Sequence, residues 1–538
     1  MWEKIVAGVQ WILGPEIATE KHPGHLWTRW IWLRALGLIY FSAFYSLLFQ
    51  IRGLIGPHGI LPAADYLQAV AAALHAWRFW YAPTLLWFSA SNHALVWICW
   101  AGMIAALLAT VNLWPRGMLV VCFVCYLSFV SAAQDFSGYQ SDGMLLEAGF
   151  ISLFFAPPGF WPELGRAGAP SRLSRFLLQW EWFRIYFESG VAKMMSGDIH
   201  WRNLTAMDDY YQNGPLPTWI GWYVQQLPHW FHASTAFLTL LLELALVWMM
   251  FLPRRFRIIC FWIVTPFEIG IILTANYTFL NYIVLSLAFL LLDDAYLKRV
   301  LPQRLLQLVE GAPPASKLPE IEKWRTAWRR RLAPVRMGIA AVFLGWILYA
   351  TTAEQIWAVS DVRLPFKPVQ ALEPFRIANR FGLFAVMTPE RYEIEFQGTR
   401  DGKTWLAYPF RYKPQDLMKP PGIYAPYQPR FDWNLRFASL GSWRESRFVV
   451  WTEERLLKSE PDVLELFAGD PFAGGPPPVQ VRTVIWHYWF TGLKTKRANG
   501  TWWHRELMGE YAPALAREPD GKIVVIDSDV VSEPQQSP

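Results

Sequence analysis

Apolar residues run in long blocks over the first two thirds of the chain and then give way to alternation. The blocks suited to helices at or near membrane-spanning length are 32–51, 94–113, 118–134, 143–157, 177–195, 233–252, 258–274, 277–293 and 336–353. The fourth is short and carries Glu147, and the fifth is polar. Both are expected to be re-entrant or internal to a bundle, because an unpaired charge does not face lipid cheaply. After residue 353 the long runs stop. In Tyr392–Glu393–Ile394–Glu395–Phe396 apolar residues alternate with acids, Asp401–Gly402 makes a turn, and 405–410 resumes, which predicts a β-hairpin. Alternation returns at Val484, Trp486, Tyr488 and Phe490. The proline-rich stretch between (Pro414, Pro420, Pro421, Pro426, Pro429) predicts extended loop, and 453–467 a short helix. The expected architecture is mainly α: a polytopic transmembrane helical bundle (1–353) with aromatic outer loops, a small β-rich soluble domain (354–526) and a disordered polar tail (527–538).

Composition strengthens the membrane reading. Hydrophobic residues make up 54% and charged residues 17%, against about a quarter charged in ordinary soluble chains. The 32 tryptophans suit headgroup interfaces, where an apolar ring with one N–H donor sits well. The net charge of +6 lies between apolar blocks, so it speaks for topology and not for nucleic acid. Lys298, Arg299, Arg304, Lys317, Lys323, Arg325 and Arg329–Arg331 place 294–334 in the cytoplasm. Counting back, Arg254, Arg255, Arg257, then Arg166, Arg172, Arg175, then Arg116, and finally Lys4, Lys21, Arg29 and Arg34 fall on the same side. The alternate loops 52–93, 135–142 and 196–232 are poorer in Lys and Arg. This predicts a cytoplasmic N-terminus and an extracytoplasmic C-terminal domain. No cleavable signal peptide is expected, and the first apolar block is taken as an anchor. Cys99, Cys122, Cys125 and Cys260 all lie in apolar stretches, so no disulfide framework is expected.

Polar residues inside the bundle carry the candidate chemistry. Gln140, Asp142 and Glu147 stand at the outer mouth of two spans, either as a polar cavity rim or as a satisfied turn with a helix-capping acid. Glu181, Arg184 and Glu188 are spaced so that Arg184 reaches both acids, at i−3 and i+4, in an ion network on one helix face. Lys193 has no acid at i±3 or i±4. It either snorkels to the interface or sits in an apolar pocket, where a lowered pKa would let it act as a base. Glu243 and Glu268 are single acids expected to pair within the bundle. Neither a metal site nor a phosphate loop or nucleophile elbow is predicted, because no His pair has ligand spacing and those motifs are absent. The aromatic loop 196–232 offers an apolar groove for lipid or protein, or rests on headgroups.

Motifs spread over nearly the whole chain resemble the lipase maturation factor family. They include 35–44, Gln50-Ile51-Arg52-Gly53, Gly59-Ile60-Leu61-Pro62, Gln140-Ser141-Asp142, Leu145-Leu146-Glu147-Ala148-Gly149-Phe150 and Ser189-Gly190-Val191-Ala192-Lys193. Further along come Ser196-Gly197-Asp198, Trp201-Arg202, Phe410-Arg411-Tyr412-Lys413-Pro414, Pro429-Arg430-Phe431-Asp432-Trp433, Asp470-Pro471-Phe472 and Trp502-Trp503-His504-Arg505-Glu506. The resemblance implies a multi-pass membrane protein that assists folding of exported clients, a lipase among them, with membrane lipid as its other partner. Arg430, Asp432, Trp433, Trp502, Trp503 and Arg505 are then client-binding residues or the core of the C-terminal domain. No cofactor is expected. The lack of an endoplasmic-reticulum retention tail favours a bacterial inner membrane. A second resemblance covers about forty residues. Ser189-Gly190-Val191-Ala192-Lys193-Met194 followed by Trp201 is similar to a segment of vitamin K-dependent γ-glutamyl carboxylase, in which the matching Lys is the catalytic base. Ala192 departs from that pattern, where the carboxylase has a second Lys. The leading reading is a maturation factor; the alternative is a membrane enzyme with Lys193 as general base on a lipid-soluble substrate. A transporter is disfavoured, since no inverted repeat is visible.

Overall fold

A computed structural model describes residues 12, 24–162, 169–304, 306, 333–360 and 362–526. The tail assigned above to disorder lies outside these residues, as do Lys4, Lys21, Arg166, Lys317, Lys323, Arg325 and Arg329–Arg331 of the charge pattern.

The apolar blocks form helices close to their expected bounds. The elements used below are α1 (Leu26–Leu48), α2 (Ile51–Ile55), α3 (Asn92–Thr110), α4 (Pro115–Val130), α5 (Gln140–Phe155), α6 (Arg172–Met195), α7 (Trp219–Gln225), α8 (His229–Leu244), α9 (Arg254–Thr274), α10 (Leu280–Ala288) and α11 (Ala333–Val359). Local chemistry starts several of them. Ser91 and Ser171 accept the backbone N–H of Ala94 and Ser174 at 3.3 and 3.2 Å, and Pro115 opens α4 where its missing N–H costs nothing.

Among the described residues, five helical segments are long and apolar enough to cross a bilayer: 26–48, 92–110, 229–251, 254–274 and 335–359. The chain is therefore a multi-pass integral membrane protein. The two blocks flagged as short or polar are internal: most residues of α5 and α6 are buried, so their polar groups face protein and not lipid.

The loops sort into two ends. At one, Asp294 accepts the N–H groups of Leu26 and Trp27 at 2.9 and 2.8 Å, Arg254 pairs with Asp293, and Arg116 donates to the Ala156 carbonyl. At the other, 50–92, 134–142, 196–226 and 276 meet the C-terminal domain. That domain is a five-stranded antiparallel sheet in the order β2-β1-β3-β4-β5, with β1 (Arg391–Thr399), β2 (Leu406–Ala407), β3 (Gln480–Phe490), β4 (Trp503–Arg517) and β5 (Ile523–Val525). Helices packed with it include α12 (Arg430–Ala438), α13 (Phe448–Leu457) and α14 (Pro461–Leu464). The predicted hairpin is β1–β2, with Gln397 opposite Ala407. The expected helix at 453–467 is split into α13 and α14, because Pro461 cannot donate to a continuous ladder. The acids of β1 do not face water. Glu393 and Glu395 are buried on the face opposite Ile394 and Phe396.

Candidate functional site

The seam between the bundle and the sheet domain is built from buried ions. Asp142, in the first turn of α5, accepts from both terminal guanidinium nitrogens of Arg430, in the first turn of α12, at 2.7 and 2.9 Å. Tyr126 of α4 donates to the same carboxylate at 2.6 Å, and Arg430 also donates to the Phe136 carbonyl at 2.6 Å. Two groups chosen separately from the sequence thus form one site. A guanidinium fork matches a carboxylate in two parallel hydrogen bonds, which fixes the angle of approach as well as the distance.

A second set of polar residues straps the connecting segment 376–388 into the bundle. Gln140 accepts from the Gly382 N–H at 3.0 Å, Glu188 from the Phe381 N–H at 2.6 Å, and Ser189 from the Leu383 N–H at 3.1 Å. Glu147 accepts from the Asn379 backbone and side-chain amides at 2.9 and 3.0 Å. The helix-capping reading of Glu147 is corrected: its carboxylate is wholly buried and pairs with Arg184. The network expected within α6 holds on its Glu188 side and is corrected on its Glu181 side. Arg184 binds Glu147 from α5, lies 3.9 Å from Glu188, and makes no ion pair with Glu181. Helical spacing brought Glu181 into reach, but the neighbouring helix supplied a carboxylate with better approach. Glu181 remains fully buried beside them.

Lys193 does not snorkel. It is 1% exposed, and its ammonium donates to Glu243 of α8 at 2.9 Å and to the Leu383 carbonyl at 2.8 Å. The Trp201 ring lies under it at 5.1 Å. Glu243 therefore supplies the partner that α6 lacked. Beside this pair is a cavity of about 310 Å³ between α6, α8, α9 and α10. Its walls are aromatic and aliphatic, and Glu268 lies in it, bonded to Tyr186 and, at 2.8 Å, to Asn281.

The C-terminal candidates divide. Trp433 packs between Tyr139 and Tyr277 at the seam, and Trp503 lies buried against Phe490 at 4.6 Å. Asp432 accepts the N–H groups of Tyr412 and Lys413 at 3.3 and 3.1 Å, and burial pushes its carboxyl up to about 6. Arg505 lies on the Trp486 ring and reaches Glu395 and Tyr488, both at 3.1 Å. Trp502 is half-buried against Trp222 of α7, with the Lys496 ammonium 3.8 Å from its ring centre.

The sequence reading missed Arg391, Lys413 and Arg436. Arg391 donates to the carbonyls of Gln212 and Gly214 at 2.9 and 2.6 Å, and pairs with Glu393. Lys413 reaches Glu393 at 2.8 Å. Burial opposes ionisation of Glu393, but Arg391 and Lys413 hold its carboxyl below the usual range. Burial, then Arg391, pushes the Arg436 guanidinium down to about 9. A signal was present for Arg391: it stands two residues from Glu393 on a strand and so shares its face.

All four cysteines are buried and unbridged, and no cluster of His, Cys, Asp or Glu able to hold a metal occurs among the described residues. The arrangement is that of a multi-pass membrane protein whose C-terminal sheet domain is locked onto one end of its bundle by buried charge. Comparison with known proteins gives the family. Residues 27–299 match the lipase maturation factor transmembrane domain and residues 377–513 the lipase maturation factor C-terminal domain. Lipase maturation factor 1 of Bos taurus is 30% identical over 512 residues, covering 92% of this chain and 90% of the relative. Lipase maturation factor 2 of Gallus gallus is 29% identical over 581 residues, covering 91% and 81%. The human lipase maturation factor 1 is 29% identical, covering 92% and 89%. The chain belongs to the lipase maturation factor family. None of these matches supports the carboxylase alternative, and no solved structure matches the chain.

Proposed function

We propose that the protein assists folding of an exported lipase at the membrane face that carries the sheet domain. The observation that carries this reading is the match to lipase maturation factors through both domains in order. The buried seam supports it, because a sheet domain held rigidly on the bundle offers a client a fixed surface at the membrane. Apolar groups are exposed on that surface. Trp219 and Tyr223 of α7 continue into Trp502, and Leu507 and Met508 project from β4. Exposed apolar area of this kind holds a folding intermediate whose own core is still open.

The working face is extracytoplasmic in this reading. Arg29, Arg34, Arg116, Arg254, Arg255, Arg257, Lys298 and Arg299 gather at the end away from the sheet domain, as the positive-inside rule asks of the cytoplasmic end. Lys193 serves as the structural partner of Glu243 rather than as a base. The test is co-expression of an exported lipase with the wild type and with Trp219→Ser/Tyr223→Ser. Active secreted lipase should rise several-fold with the wild type and much less with the double variant. Equal secretion with and without the protein, for every exported lipase tried, would overturn the reading.

A further inference from the structure

We infer that the cavity beside Lys193 binds a single-chain, neutral amphiphile with a free hydroxyl, such as a monoacylglycerol or a long-chain alcohol. The shape of the bundle provides the entrance. Helices α8 and α9 both leave the corner at 246–251, and Leu238, Ile269 and Leu273 are exposed on their outer parts. Gly270 lines the cavity, and nothing lies within 4 Å of the point where a Cβ would stand. Both helices belong to segments apolar and long enough to cross the bilayer, so this opening meets hydrocarbon.

The walls fix the tail. Tyr210, Phe267, Ile271, Leu280, Val284 and Phe384 present rings and aliphatic groups, which favours a hydrocarbon chain over a polar solute. A volume of about 310 Å³ stands at the low end of small-molecule sites, roughly 300–1,000 Å³. That suits one chain and excludes two.

The polar end fixes the head. Glu243 is about nine-tenths buried; its Oε1 accepts from Lys193, while its Oε2 has no hydrogen-bond partner. Glu268, the other acid of the cavity, has both oxygens occupied, by Tyr186 and Asn281. A buried carboxylate oxygen left bare asks for a donor. Lys193 and Glu243 together carry no net charge. An anionic headgroup would compete for Lys193 and strand Glu243, and a cationic one would face the ammonium. A neutral O–H donor meets Oε2 without disturbing the pair.

The experiment uses the full chain in phosphatidylcholine nanodiscs, whose lipid has no free hydroxyl, and a monoacylglycerol with a diazirine in its chain. Photolabelling should fall on peptides of α8 and α9. Unlabelled monoacylglycerol and long-chain alcohol should displace the probe at least tenfold better than the chain-matched methyl ester or fatty acid. Gly270→Phe, which grows into the entrance, should cut labelling at least fivefold with Tm unchanged. Should that variant fail to fold, Thr235→Phe, facing the same space from α8, carries the same expectation. Equal displacement by the methyl ester or fatty acid, labelling insensitive to both variants, or no labelling of α8 and α9 would overturn the proposal.

Discussion

Arg430 grips Asp142 across 288 residues of sequence, through two hydrogen bonds of 2.7 and 2.9 Å in a site where both side chains are essentially inaccessible to water. Neither charge has solvent to turn to if the other is removed. Breaking such a pair costs more than the pair itself contributes, because the survivor is left buried and uncompensated. Arg430→Ala or Asp142→Asn should therefore destabilise the protein by about 3–5 kcal/mol and expose the sheet domain to protease. Arg430→Met combined with Asp142→Leu should recover much of that loss. By contrast, Arg52 and Glu465 meet at 2.5 Å across the same seam but are 40% and 56% exposed, so Arg52→Ala should cost no more than about 1 kcal/mol. Thermal unfolding in detergent and limited proteolysis distinguish the two classes.

Close backbone approach makes a second lock. Gly53 of α2 lies against α14, where an added Cβ would collide with the Asp462 carbonyl and crowd the Leu466 side chain. The Asn92 amide also donates to the Asp462 carboxylate at 2.8 Å. A backbone carbonyl cannot rotate out of the way as a side chain can. Gly53→Val should separate α14 from the bundle and lower stability by about 1–3 kcal/mol, with faster proteolysis near 461–464. Asn92→Ala should produce a smaller effect on the same cleavage.

The bundle was legible because lipid demands long apolar runs, and those runs are written locally in the chain. The hairpin was legible for the same reason: alternation and an Asp-Gly turn are local signals. Ion partners were not. Helical spacing places Arg184 near Glu181 and Glu188, yet it also pairs with Glu147, 37 residues earlier. Lys193 looked unpaired because its acid lies 50 residues on. Asn379 gave no sign at all: its value comes from where a non-helical segment threads between α5 and α6. Periodicity reports what one element places on one face; it carries no information on which element comes to meet it.

Asp432 gives the sheet domain a pH dependence of predictable sign. Its carboxyl is fully buried and pushed from 3.8 up to about 6, with Lys413 the charged group that opposes the shift. The folded state therefore holds the proton to higher pH than the unfolded chain does. Stability from this residue is greatest below about pH 4, falls as pH rises through about 6, and then levels off, a change of up to about 3 kcal/mol. Asp432→Asn keeps an oxygen to accept the Tyr412 and Lys413 N–H groups but cannot ionise. The variant should melt higher than the wild type at pH 7, with the gap closing toward pH 4. A series of Tm measurements from pH 4 to 7.5 checks both sign and span.

Lys193 and Glu243 test whether the buried pair in the bundle is structure or chemistry. Each neutralises the other in a wall of aromatic rings, and Gly190, one helical turn before Lys193, lies against Glu243 and Leu244. Lys193→Met should leave Glu243 charged and unpaired, at a cost of about 3–5 kcal/mol, and reduce the amount of folded protein in the membrane. Lys193→Met with Glu243→Gln removes both charges and should restore most of that stability. If the pair only holds α6 to α8, the double variant will also restore secretion of active lipase client. A double variant that folds to wild-type Tm but fails to mature the client would instead give the ammonium a role beyond packing, because stability and activity would then have parted at the same two residues.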